Sequence, residues 1–158
     1  PEEPVTLTVH TARVSYDGTD RLDVTRKSAG PDGIVFAPSW SILRPALDLL
    51  SVARSMRAAA DHAGAAKPDD AMLAESCAEM TRAAEAIETG AWALYVEAYR
   101  SEMRESYRTQ RAEWRALLAR ESVTLVCYCA DPARCHRTLL AGILAKLGST
   151  DAGERGSR

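Results

Sequence analysis

Residues 123–148 read VTLVCYCADPARCHRTLLAGILAKLG, and no other stretch constrains the fold as strongly. The first seven, VTLVCYC, form an unbroken apolar run that ends at the polar loop ADPAR. A short run of this kind, without polar alternation, is predicted to be a strand covered on both faces, as in a parallel sheet. The apolar stretch that follows, about residues 133–147, has helical length and stops at Gly148, where a glycine commonly closes a helix. A parallel strand needs a partner reached by a crossover, and most crossovers are helical and right-handed.

The rest of the chain supplies those parts. TLTVHTARV, residues 6–14, alternates apolar and polar side chains and is predicted to be a strand. A turn over residues 16–20, with Gly18 as its permissive residue, leads to a second short strand, RLDVT, at residues 21–25. Residues 29–33 read as a loop and residues 34–37 as a short extended piece. Helices are predicted to about residue 62, with Pro45 in the first turn, and over residues 71–88, with a linker at 63–70 and a break at Thr89-Gly90. Residues 91–120 form one long helix or two abutting ones. The expected architecture is a small three-layer, Rossmann-like α/β domain with a mostly parallel sheet and a large helical insertion. It covers residues 1–148, and the polar residues 149–158 form a disordered tail. Ligands of such sheets sit outside the carboxyl ends of the strands. Tyr16, the run Arg26-Lys27-Ser28 and residues 129–137 are therefore expected to converge there.

The formal net charge of −2 gives no bulk electrostatic case for nucleic acid or an anionic membrane. No apolar run approaches the roughly 18 residues of a membrane span. The opening PEEPVTLTVH is acidic and too poor in apolar residues for a secretory signal, so a cytoplasmic location is expected. In a reducing compartment the 4 cysteines read as thiols or ligands rather than as a disulfide framework.

Three of those cysteines, Cys127, Cys129 and Cys135, fall in one segment with His136. Cys127 and Cys129 are two apart on a strand and share a face. Cys127 is expected to be a core residue, and Cys129 a thiolate at the loop edge, favoured by the helix that follows and by Arg134 and Arg137. Cys135 and His136 open the last helix, where neighbours point roughly 100° apart and cannot share a face. The C-x-C-x5-C-H run offers donors of the right chemistry for a metal. All four lie within ten residues, however, a spacing predicted to be poor for a closed tetrahedron. Asp23, late on the second strand, is expected to pair with Arg137. Arg100, Arg104, Arg108, Arg111 and Arg115 alternate with glutamates, which predicts a solvated, ion-paired helix face. Cys77 is expected to be buried and inert.

The elements RLDVTRKS and FAPSW, the tyrosines Tyr95 and Tyr99, and LVCYCADPARCHRTLLAGIL together resemble the domain of unknown function 488 (DUF488) family, over roughly residues 7–148. Cys135-His136-Arg137 is the most specific element of that resemblance, and Asp23 with Arg26 the second. The resemblance implies an α/β sandwich and a site, not a reaction. The loop after Cys129, with Asp23-Val24-x-Arg26, also looks like rhodanese-like domains. That likeness implies a persulfide-forming Cys129 and a loop closed by Arg134. Pro132 stands where those domains carry glycine, and it removes an amide donor from the loop.

Three classes of function follow. The first is a Cys-dependent enzyme acting on an anionic small molecule or nucleotide. In it Cys129, His136 and Arg134 are catalytic, and Asp23, Arg26, Lys27 and Arg137 hold the substrate. The second is a metal- or haem-binding protein that uses Cys129, Cys135 or His136 as ligand. The third is a nucleotide or nucleic-acid binding module without catalysis, built on Arg26, Lys27 and the arginine stripe.

Overall fold

The computed structural model describes residues 3–156. Four strands, β1 (Thr8–Arg13), β2 (Arg21–Asp23), β3 (Ser122–Cys127) and β4 (Thr150–Glu154), form one sheet in the order β2-β3-β1-β4. Every pairing is parallel. The helices are α1 (Pro31–Ile34), α2 (Trp40–Ala66), α3 (Ala71–Thr109), α4 (Arg111–Leu118) and α5 (His136–Lys146). The result is the mixed, Rossmann-like α/β architecture that the apolar third strand predicts, with a long helical insertion.

Two compact units make up the chain. Residues up to 39 and from 99 onward form one, and residues 40–98 the other. In the first unit, β3 buries all but its first residue, and α5 packs against β1, β3 and β4. Val9, Leu125, Leu140 and Leu144 are fully buried there, and each such side chain contributes roughly 1.5–3 kcal/mol. Phe36 meets Trp114 edge-on at 4.9 Å. The Tyr99 hydroxyl donates to the Phe36 carbonyl at 2.8 Å, and the Trp114 indole to Ser106 Oγ at 3.0 Å, so both large aromatics bury their polar atoms with partners. The second unit is a pair of helical segments. Arg57 clasps Glu88 through two bonds of 2.9 and 3.0 Å, and the small residues Ala53, Ala60 and Ala84 are buried.

Several local expectations are corrected. α3 runs through Thr89-Gly90 without interruption, because one interior glycine costs only about 1 kcal/mol, less than a 39-residue helix gains from its other positions. α2 extends to Ala66, shortening the expected linker, and Pro45 lies inside it rather than in its first turn. Residues 31–34 are helical, with Pro31 at the start, where its missing N–H costs nothing. Gly33 is required there, since a Cβ would stand 1.8 Å from the Asp23 carbonyl oxygen. Cys77 is half-buried, not buried.

The largest difference is at the carboxyl end. Residues 150–154, expected to be disordered, form the edge strand β4, although all five are exposed. The sequence TDAGE carries no strand signal, because an exposed edge strand needs backbone pairing and one anchor rather than an apolar face. Ser157 and Arg158 lie outside the described residues. Among the described residues, no helix is long and apolar enough to cross a membrane.

Candidate metal centre

Cys127 is the last residue of β3 and is buried. The chain then leaves the sheet, and Cys129 lies on an exposed loop with its sulfur turned back to within 3.7 Å of Cys127 Sγ. Asp131 caps the following 3₁₀ turn, residues 132–134, by accepting from the Ala133 amide at 2.9 Å. Thr138 ties the turn down with a hydroxyl bond to the Pro132 carbonyl at 2.5 Å. Cys135 is buried at the N-cap of α5, and His136 is the first residue of that helix.

Cys135 has extended backbone angles, φ −141° and ψ 143°. The expected 100° separation between Cys135 and His136 therefore does not apply. That figure belongs to two helical residues, and an N-cap is not one. His136 Nδ1 lies 4.0 Å from Cys135 Sγ and 3.7 Å from Cys127 Sγ. The three sulfurs all lie within 4.8 Å of one another. His136 Nε2 lies 2.7 Å from the Val24 carbonyl oxygen. A carbonyl only accepts, so Nε2 carries the hydrogen, and Nδ1 is the nitrogen that faces the sulfurs. Orientation of a histidine by a bond on its far nitrogen is the usual second-shell arrangement of a metal ligand. The Tyr99 ring, 5.6 Å away, backs the imidazole.

The three sulfurs form one compact group, and His136 Nδ1 stands beside two of them, Cys127 and Cys135. Zinc–sulfur bonds of about 2.3 Å and zinc–nitrogen bonds of about 2.0 Å imply S···S edges near 3.8 Å and S···N edges near 3.5 Å. The ten-residue span nevertheless brings three sulfurs together. The spacing is short, but the strand end, the 3₁₀ turn and the N-cap together fold the loop back on itself. Cys127 is buried, as expected of a core residue, and its sulfur is also a member of the cluster.

The electrostatics follow from the crowding. Hydrogen bonds from Cys127 and then Cys135, opposed by burial and aided by the charge of Arg137, hold the Cys129 thiol down to about 3. The Cys135 thiol is pushed strongly upward by its contacts with Cys127 and Cys129 and by burial. One sulfur can ionise easily and a second cannot, unless a cation lies between them.

Arg137 braces the loop from behind. Its side chain is fully buried, with Nη1 donating to the Cys129 carbonyl at 2.7 Å and to Cys135 Sγ at 3.4 Å. Nη2 and Nε grip both carboxylate oxygens of Glu154 at 2.8 and 3.2 Å, and the Thr11 hydroxyl bonds the same carboxylate. The predicted Asp23–Arg137 pair is therefore corrected, since the partner of Arg137 is Glu154. No signal in TDAGE marks that role. Asp23 instead accepts from Thr25 N at 2.9 Å, Thr25 Oγ1 at 2.7 Å and Ser28 Oγ at 2.6 Å. Burial pushes its pKa up, but the bonds from Ser28 and Thr25 outweigh that and hold it below the usual carboxylate range. Arg26 donates to the carbonyls of Pro38 at 2.6 Å and Ala37 at 3.0 Å. Lys27 is exposed, and Arg134 stands on the 3₁₀ turn. In the arginine stripe, Arg108 pairs with Glu105 at 2.6 Å and Arg111 covers the Tyr107 ring at 4.5 Å.

A family model described as DUF488-N3a, active DUF488-N3 subclade, matches residues 71–148, the stretch that contains all four donors. That match supports the DUF488 family. No curated protein and no solved structure matches the chain, and no comparison supports the rhodanese-like similarity. Within the DUF488 match lie Cys127, Cys129, Cys135, His136 and Arg137. Outside it lie Asp23, Arg26, Lys27 and Glu154.

Proposed function

We propose that this chain is a metal-binding protein whose centre is one zinc ion held by Cys127, Cys129, Cys135 and Nδ1 of His136. One observation carries the reading. Three cysteine sulfurs lie within 4.8 Å of one another, and His136 Nδ1 lies 3.7 and 4.0 Å from two of them. A donor set of three sulfurs and one nitrogen selects zinc among common ions. Haem iron fits less well, because three sulfurs crowd within 4.8 Å of one another and leave no plane for a macrocycle.

Four protein ligands close the coordination sphere, so the ion's first task is to fasten the end of β3 to the start of α5. Its charge removes the repulsion among three sulfurs. Cys129 is the one ligand on an exposed loop and is the sulfur that solutes can reach. That exposure favours a second reading, thiol chemistry at Cys129 with His136 and Arg134 beside it.

Metal analysis of the purified full chain separates the two. The zinc reading expects about one zinc per chain. It also expects replacement by cobalt to give a thiolate-to-metal absorption band that disappears in Cys135→Ala. Purified protein without zinc that also fails to take up zinc or cobalt after reduction would sink it. Rapid alkylation of Cys129 with the other thiols untouched would then support the thiol enzyme.

A further inference from the structure

A second feature lies at the carboxyl ends of β1 and β4, beside the cysteine cluster and distinct from it. A cavity of 530 Å³ opens there, walled by Arg13, Ser15, Tyr16, Asp17 and Arg155. This size is ordinary for a small-molecule site. We infer that this cavity binds a phosphate ester of mononucleotide size.

The walls are fixed before any ligand arrives. Arg21 pegs the β1–β2 loop by donating to the carbonyls of Tyr16 at 2.8 Å and Val14 at 3.1 Å. The Tyr16 hydroxyl donates to Asp20 at 2.6 Å. Gly18 makes room for that ring, since a Cβ there would lie 2.0 Å from the tyrosine oxygen. The Arg155 guanidinium lies 5.2 Å from the Tyr16 ring centre, and its Nε donates to Thr124 Oγ1 at 3.0 Å. Tyrosine ring and guanidinium together make a flat, preorganised wall, the kind of surface on which an aromatic base stacks.

The charge at the mouth is unspent. Arg13 is exposed and has no ion-pair or hydrogen-bond partner for its side chain among the described residues. Its guanidinium and that of Arg155 flank the same space, and arginine suits phosphate by its forked donors. Asp20 engages Arg155 only at 3.6 Å. The Asp17 carboxylate on the rim accepts hydrogen bonds and suits the hydroxyls of a sugar better than a second anionic group. By contrast, Arg26 and Arg137, the arginines first expected to hold an anion, are committed to backbone carbonyls and to Glu154. The cavity is coupled to the cysteine cluster by the backbone. Val14 N donates to the Cys127 carbonyl at 3.0 Å, and Arg155 follows Glu154, the partner of Arg137.

The test is calorimetric titration of the full, metal-analysed chain with AMP, GMP, CMP and UMP, and with inorganic phosphate. At least one nucleotide should bind saturably and one to one, more tightly than phosphate, and more weakly as salt rises. Arg13→Gln should weaken that binding at least tenfold. Lys67→Gln removes the same charge from an exposed position in the other unit and should leave the binding unchanged. Absence of saturable binding by all four nucleotides overturns the inference, as does an equal loss in Arg13→Gln and Lys67→Gln. Zinc content is read on the same samples. Nucleotide binding by a protein that neither contains zinc nor takes it up after reduction would refute the metal centre and leave the cavity standing, and a zinc-loaded protein that binds no nucleotide would do the reverse.

Discussion

The cysteine cluster and the neighbouring cavity occupy the same end of the same sheet, yet they are built on opposite plans. In the cluster every polar group faces another protein group. Val24 holds His136, Glu154 holds Arg137, and the three sulfurs face one another. The cavity has rigid walls and a charged residue, Arg13, left without a partner among the described residues. A site that satisfies itself is suited to a permanent small ion. A site that keeps a free cation beside a fixed aromatic wall is suited to a ligand that comes and goes. The difference teaches that proximity to reactive residues does not by itself place a substrate.

The sharpest way to break the comparison is to remove one sulfur. Cys135→Ala should abolish zinc retention and, with it, roughly 10 kcal/mol of apparent metal-binding free energy at neutral pH. For a domain of this size a loss of even half that amount lowers the thermal midpoint by about 10 °C or more. Scanning calorimetry beside metal analysis checks both. A midpoint that stays where it was would mean that the cluster fastens nothing.

The next largest effect tests whether the exposed edge strand belongs to the cluster. Glu154→Ala leaves the fully buried Arg137 guanidinium without its counter-charge. Breaking such a pair from one side costs about 3 kcal/mol or more. Urea denaturation should show that loss, and the zinc bound at a fixed chelator concentration should fall as the Cys129 loop loosens. Wild-type stability in Glu154→Ala would show that β4 is an appendage.

Acid separates the two regions in a different way. Burial raises the Asp20 pKa, but bonds from Ser122, Tyr16 and Thr124, with the charge of Arg155, outweigh it and bring it from 3.8 down to about 2. A depressed carboxylate contributes stability that is fully present above its unfolded value. That stability is lost as pH falls through the folded one. Asp20 should therefore contribute about 2 kcal/mol above pH 4 or so, fading between there and about pH 2. Asp20→Asn should be less stable at neutral pH and flatter across that acid window. An acid limb identical in the two proteins would detach Asp20 from the cavity wall.

How much of this was legible in the sequence depends on what each element relies on. β3 and α5 rely on burial, and VTLVC and LLAGIL announce it. The same-face relation of Cys127 and Cys129 was also readable, since strand periodicity requires it. Cys135 beside His136 was not, because whether a residue is an N-cap or a first helical residue changes its side chain's direction, and single-residue boundaries are what a sequence leaves open. β4 and Glu154 were illegible for another reason. An exposed edge strand has no apolar pattern, and its anchor, Arg137, reaches it across 17 positions of chain. Arg26 and Lys27 were readable as basic residues near a strand end, but not as one spent side chain and one exposed.

That last pair gives the smallest predicted effects and the finest test of the contrast between spent and unspent charge. Arg26 donates two bonds to carbonyls of the buried residues Ala37 and Pro38, so Arg26→Ala should cost about 1 to 2 kcal/mol by leaving those acceptors unmatched. Lys27, one residue on and exposed, should change stability by less than about 0.5 kcal/mol when replaced by alanine. Neither change should alter zinc content, because neither side chain touches a donor or Arg137. In nucleotide titrations both variants should match the wild-type protein once Arg26→Ala is measured well below its unfolding transition. A marked fall in nucleotide affinity in Lys27→Ala, with stability intact, would move the anion from the β1–β4 cavity to the loop after β2. The contrast between the two regions would then have to be redrawn around that loop.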